Sequence, residues 1–207
     1  MNLPNKKAII HDVIQGSDDW KDLRKGLITG SKIGSCITGT KKLSAAGMKT
    51  AAKNIVAELY SQDEESYKSG FMQRGNDMEQ DARDVFEMIY DCEVTELGFI
   101  TLKDTNLGVS PDGIIPKLKA GVEFKCPMCK THIDYLCEGV LPKEYQAQVH
   151  YNMYVTGFKK WYFMSYYPDL KPFILEVSRT EEWDELIKKA VALLNDQIKK
   201  YMDVVAE

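Results

Sequence analysis

Between Val94 and Cys126 the chain changes period. VTELGFITL, LGVSPDGII and GVEFKC follow one another with turn residues between them, and they read as strands where everything before them reads as helix. SDDWKDLRKG is a short helix with Ser17 as N-cap, an acidic first turn, a basic last turn and Gly26 just past its end. KTAAKNIVAELYS is a second helical pattern. NDMEQDARDVFEMIY is a third, with Met78, Ala82, Val85, Phe86 and Ile89 at helical spacing and Asn76 or Asp77 as cap. Beyond the strands, KEYQAQVHYNMYVTG is a helix stopped by Gly157, KWYFMSYY and FILEVSR are strands, and TEEWDELIKKAVALLNDQIKKYM is a long amphipathic helix capped by Thr180. Strands enclosed by helices on both sides predict an α/β fold, a central mixed β-sheet flanked by helices.

The 207 residues, 44% of them hydrophobic, suffice for one sizeable core, so residues 1–207 are expected to form a single domain. No apolar run approaches the roughly 18 residues of a membrane span, and the N-terminus has no signal-like apolar region. Five cysteines, Cys36, Cys92, Cys126, Cys129 and Cys137, are an odd set that suits reduced thiols, and a cytoplasmic location is expected. The formal charge of −4 taken alone argues against a nucleic-acid partner. Its distribution is uneven, however. Lys21, Arg24, Lys25, Lys32, Lys41, Lys42, Lys49 and Lys53 face only Asp22 in the same stretch, which makes either a solvated face or a phosphate-binding surface.

In VSPDGIIPKLKAGVEFKC, a symmetric hairpin turning through Pro116–Lys119 sets Asp112 opposite Glu123. Opposed residues of an antiparallel pair have Cβ atoms about 4.5–5.5 Å apart. Two carboxylates that close repel unless a proton or a cation separates them. Alternation puts Glu123 and Lys125 on one face while Val122 and Phe124 point into the core. Pro111 and Gly113 beside Asp112 imply a kinked or bulged strand. A hard divalent cation uses one or two carboxylates, a carbonyl, waters and substrate phosphate oxygens, which makes phosphodiester hydrolysis the matching chemistry. A surface hairpin with an ordinary salt bridge is the alternative.

SPDG followed by VEFKCP resembles the PD-(D/E)xK nuclease motif. In order along the chain, DDWKDLRKGLITGSKI, RGNDMEQDARDVFE, SPDG, VEFKCP and YQAQVHYNMYVTGFKKWYFMSYYP are similar to the family of lambda-type exonucleases and YqaJ-type viral recombinases. The resemblance implies a restriction-endonuclease-like core. It also implies a metal-dependent 5′-to-3′ exonuclease that hydrolyses the 5′-ended strand of linear double-stranded DNA, leaving 3′ overhangs for a single-strand annealing partner in phage-type recombination. Carried over residue by residue, Asp112 and Glu123 become metal ligands with the Phe124 carbonyl and Glu79. Lys125 serves the attacking water, and Gln148 contacts that water or the phosphate. Mg²⁺ is the implied cofactor, with Mn²⁺ substituting and two ions per site.

Arg24, Thr29 and Ser31 match the pocket that holds the terminal 5′-phosphate. Their chemistry agrees, since a Thr-Gly-Ser stretch opening a helix offers N–H groups and hydroxyls to an anion and a guanidinium grips phosphate in two places. As simple structural groups, Ser31 would be an N-cap and Arg24 a helix-end partner. Met72 and Phe71 are candidates for an apolar wedge between the strands. The resemblance further implies a homotrimeric ring around the duplex, with the Lys21–Lys53 stretch lining its channel and the acidic segment Asn54–Asp112 mostly outside. A structure-selective endonuclease of the same fold, or a DNA-end-binding protein without catalysis, is the alternative function, and the intact Asp112, Glu123 and Lys125 oppose the latter. Cys126, Cys129, His132 and Cys137 have a spacing that matches no common zinc module.

Overall fold

The computed structural model describes residues 3–61 and 78–206. Before the strand-rich region come β1 (Ala8–His11), α1 (Asp18–Arg24), α2 (Gly30–Cys36), α3 (Ala45–Tyr60) and α4 (Glu79–Tyr90). The next segment carries β2 (Phe99–Leu102), β3 (Gly108–Val109), β4 (Gly113–Ile115) and β5 (Ala120–Lys125). The chain closes with α5 (Cys129–Glu138), α6 (Lys143–Thr156), β6 (Lys160–Ser165), β7 (Phe173–Ser178) and α7 (Glu181–Ala206). Among the described residues no helix is long and apolar enough to cross a membrane.

The helix boundaries follow local chemistry. The Ser17 side chain accepts the Trp20 N–H at the start of α1, Thr180 does the same for Trp183 ahead of α7, and Gly157 ends α6 in the left-handed region at φ 83°. The caps expected at Asn76 or Asp77 lie outside the described residues; α4 itself starts after Met78. Its inward face is Ala82, Arg83 and Phe86, whereas Ile89, expected inside, is 49% exposed.

LGVSPDGII is not one strand. Its first part is β3, in a three-stranded antiparallel sheet of order β1-β2-β3, and its second is β4, at the edge of a four-stranded mixed sheet of order β4-β5-β6-β7. Pro111 has no N–H to give a ladder, so the chain leaves one sheet at Ser110 and enters the other at Gly113. The hairpin register matches the symmetric turn, with Gly113 opposite Val122, Ile114 opposite Gly121 and Ile115 opposite Ala120. The β5–β6 pair is parallel, so the chain must cross over between them, and α5 and α6 make that crossover.

The mixed sheet is covered on both faces. Val122, Phe124, Tyr162 and Met164 point to one side and pack with Ala82 and Phe86 of α4. Trp161 and Phe163 point to the other and pack with Val149, Tyr151 and Met153 of α6. Gly121 lets this second layer close, because a Cβ there would fall 2.3 Å from the Trp161 ring. The face that carries Glu123 and Lys125 is therefore interior as well, and Glu123 is only 1% exposed.

On its far side α6 is fastened to α7 by His150, whose ring stacks on Trp183 at 4.5 Å. Burial, and after it the Lys41 charge, hold the His150 pKa down at about 4, although Asp184 and Glu182 pull the other way. With the folded value below the ordinary 6.5, the unfolded chain takes the proton first as pH falls. Stability from this residue is therefore intact above pH 6.5 and lost between 6.5 and 4. Urea titrations should show the wild type losing on the order of 2–3 kcal/mol more than His150→Phe across that window. Parallel losses in the two proteins would contradict the assignment.

Candidate active site

The site is built around the end of β5. Asp112, just before β4, is past the last paired position of the hairpin, and its Oδ2 accepts the Phe124 N–H at 2.7 Å in place of a ladder bond. The bend at Pro111 thus turns the Asp112 side chain onto the neighbouring strand. Lys125 Nζ donates to Glu123 Oε1 at 2.6 Å and lies 3.9 Å from Asp112 Oδ2. The three groups expected to converge do converge. Glu123 forms the buried floor, while Asp112 and Lys125 are half-buried.

Helix α6 closes the site from above. Gln148 Nε2 donates to Glu123 Oε1 at 2.6 Å, and Asn152 Nδ2 donates to Oε2 at 3.3 Å. Glu79, the first residue of α4, stands 3.6 Å from Arg83, a buried guanidinium that also pairs with Glu96. Burial and then the charge of Asp112 push the Glu79 and Glu123 carboxyls well above the usual carboxylate range. Burial disfavours the Lys125 ammonium, but Glu123 and Asp112 outweigh it and hold the proton more firmly than in water. Glu79, Asp112 and Glu123 share the field of the Lys125 ammonium and of Arg83, which also serves Glu96, so the cluster is short of positive charge.

That shortage is what a cation would relieve, and the donors are hard oxygens. Among the described residues no three His, Cys, Asp or Glu side chains form a ready cage. Two carboxylates and a strand backbone at Phe124 fit the habit of Mg²⁺, which takes waters and substrate oxygens for the rest of its shell and rarely uses an all-protein cage. A zinc alternative does not fit. His132 is fully buried, with Nδ1 bonded to Ser165 Oγ at 2.7 Å and Nε2 to the Lys171 carbonyl at 3.0 Å, so neither nitrogen is open to a metal.

The residues matched to a terminal phosphate stand on two successive helices, Arg24 on α1 and Thr29 and Ser31 at the start of α2. Arg24, in the last turn of α1, lies with its guanidinium 3.9 Å from the Trp20 ring centroid, and its Nε is buried without a hydrogen-bond partner. Trp20 Nε1 in turn donates to Ser110 Oγ at 2.9 Å, just ahead of Pro111 and Asp112. Thr29 holds the N-cap position of α2 but makes no capping bond, and its Oγ1 lies 3.3 Å from Ser31 Oγ. Ser31 is thus inside the first turn and not the cap. A Cβ on Gly30 would lie 3.0 Å from Gln148 Cγ, so the start of α2 rests directly on α6 at the carboxylate site. Tyr151 tightens that contact by donating to the Ile28 carbonyl at 2.6 Å.

The basic run is not a uniform positive surface. Lys21, Lys25, Lys32 and Lys41 are paired with Asp18, Asp22, Glu58 and Glu182. Glu58 is a residue that sequence reasoning missed: its Oε2 accepts from Lys32 at 2.6 Å and from the Gly26 N–H at 3.3 Å, beside Arg24. Asn152 was missed too, although its four-residue spacing from Gln148 was a usable signal. Met72 and Phe71 lie outside the described residues.

Residues 19–159 match the model of the YqaJ-like viral recombinase domain. The chain belongs to that family. Among solved structures it is similar to an alkaline exonuclease, LHK-Exo, from Laribacter hongkongensis, with TM-score 0.76 and 25% identity over 92% of this chain and 98% of that one. The same exonuclease in complex with dAMP gives TM-score 0.80 and 24% identity, over 91% and 96% of the two chains. A phage-related exonuclease from Haemophilus somnus 129PT gives 0.70 and 14%, over 89% and 99%. No curated protein matches the sequence. The α/β core is the restriction-endonuclease-like fold of these neighbours, and family and neighbours together support a nuclease role for this YqaJ-like chain.

Proposed function

We propose that this chain is a metal-dependent 5′-to-3′ exonuclease acting on the 5′-ended strand of linear double-stranded DNA, folded as one domain over residues 1–207. The reading is carried by one observation: Asp112, Glu123 and Lys125 meet at β5 under Gln148, and the start of α2, where Thr29 and Ser31 stand, leans on that same glutamine through Gly30. A site for a terminal phosphate next to a site for hydrolysis is the arrangement that cutting from an end requires.

Mg²⁺, or Mn²⁺ in its place and two ions per site, would be held by Asp112, Glu123, the Phe124 carbonyl and Glu79, and when bound would polarise the phosphoryl oxygen and acidify a water. Lys125 would orient the attacking water or stabilise charge developing on the phosphate. Gln148 holds Glu123 in place and presents its amide at the mouth of the site. Arg24, stacked on Trp20, would give its guanidinium to a phosphate oxygen, and the Thr29 and Ser31 hydroxyls, 3.3 Å apart at the start of α2, would bind the same anion. The 3′ overhang would pass to a single-strand annealing protein in the cytoplasm of a bacterial host. Arranged as a closed ring of three, the enzyme would stay on its substrate by encircling it.

With Mg²⁺, a labelled linear duplex should be degraded from its 5′ ends while a closed circle survives; cutting of the circle would make the protein an endonuclease of the same fold. Asp112→Asn, Glu123→Gln and Lys125→Ala should each lower the rate by roughly 10²-fold or more with DNA binding retained. Near-normal turnover by a folded Lys125→Ala protein would refute the lysine's role. Wild type should favour 5′-phosphorylated over 5′-hydroxyl ends by about tenfold, and Arg24→Ala should lose that preference. Light scattering should report about three chain masses, and a monomer at working concentrations would exclude the ring.

A further inference from the structure

Asn152 is a neutral polar side chain buried in a charged cluster, and no step of the reaction above uses it. It is 2% exposed, one turn beyond Gln148 on the same face of α6. The donors around Glu123 are unequally shared. Lys125 Nζ and Gln148 Nε2 both reach Oε1 at 2.6 Å, and among the described residues Asn152 Nδ2 is the donor on Oε2, at 3.3 Å.

The torsion that turns a carboxylate about its last carbon–carbon bond is broad. Lys125 and Gln148 hold one oxygen, and a donor on the second narrows that rotation further by fixing the other end of the carboxylate plane. Asn152 is itself confined, since a Cβ on Gly30 would come 3.2 Å from its Oδ1 and the first turn of α2 therefore shuts off that side. Its neutrality matters as well. A cationic donor would supply the positive charge that the cluster lacks and compete with a metal for it, whereas an amide orients the carboxylate and leaves that demand in place.

We propose that Asn152 is a positioning residue for Glu123, fixing the plane in which that carboxylate meets a divalent cation. The proposal rests on the metal-dependent reading of the site and adds to it the group that orients one ligand.

The test uses the full chain without DNA and Mn²⁺ as the probe, with free Mn²⁺ counted by electron paramagnetic resonance. Asn152→Ala removes the donor without adding bulk, and Asn152→Ser removes the reach while leaving the site polar and uncrowded. Near-ultraviolet circular dichroism confirms that each is folded, and Asp112→Asn serves as the control ligand variant. Both Asn152 variants should bind Mn²⁺ about tenfold or more weakly than wild type, the usual consequence of losing a group that orients a ligand. Their cleavage rate should recover in part as Mn²⁺ is raised, which a general structural defect would not allow. Affinity within twofold of wild type in either folded variant, alongside weakened binding by Asp112→Asn, overturns the role of Asn152 alone. Unchanged binding by Asp112→Asn overturns the metal reading and this proposal with it.

Discussion

Glu123 is an acid on a β-strand with helix α6 over it and almost no exposed surface, and such a group is tolerated only if its charge is answered. Lys125, two residues on and therefore on the same face, answers most of it at 2.6 Å. The Gln148 and Asn152 amides each donate to one of its two oxygens. Asp112, brought in by the bend at Pro111, then adds a negative charge that the single ammonium does not balance. The positions of β4, β5 and α6 all answer to that cluster: move any one and a buried charge loses its partner.

The sheet supplies the rigidity this needs. Alternation along β5 and β6 sends Val122, Phe124, Tyr162 and Met164 to α4 and Trp161 and Phe163 to α6, so the strand bearing the charges is clamped from both sides. Gly121 beneath Trp161 brings the α6 layer close enough for the Gln148 and Asn152 amides to reach Glu123. Gly30 does the same for α2, bringing a helix start and its Thr29–Ser31 hydroxyls against the carboxylate site.

What could be read from the residue order came from interactions close along the chain. The Ser17 and Thr180 caps, the Gly157 stop, the Pro116–Lys119 turn and its register, and the shared face of Glu123 and Lys125 depend on spacings of a few residues or on the two-residue period of strands. The charged trio followed, because its members sit on the two arms of one hairpin. Where β3 ends and β4 begins was less clear: Pro111 announced a kink, and only the packing showed that the kink separates two sheets.

Tertiary structure alone decided which distant groups complete the site. Asn152 reaches Glu123 across 29 positions and Gln148 across 25, because a parallel β5–β6 crossover must lay α6 over the strand it left. Glu58 neutralises Lys32 from another helix, so that a basic run legible in the sequence is half paired in the fold. His132, which looked available to a metal beside three cysteines, spends both ring nitrogens on Ser165 and the Lys171 carbonyl. The sequence by itself determined the strand pair and its charges, since alternation and turn chemistry act over neighbours. Which partners those charges meet was settled by packing, because burial leaves a charged or polar group no choice but the donors and acceptors that the fold brings within about 3 Å.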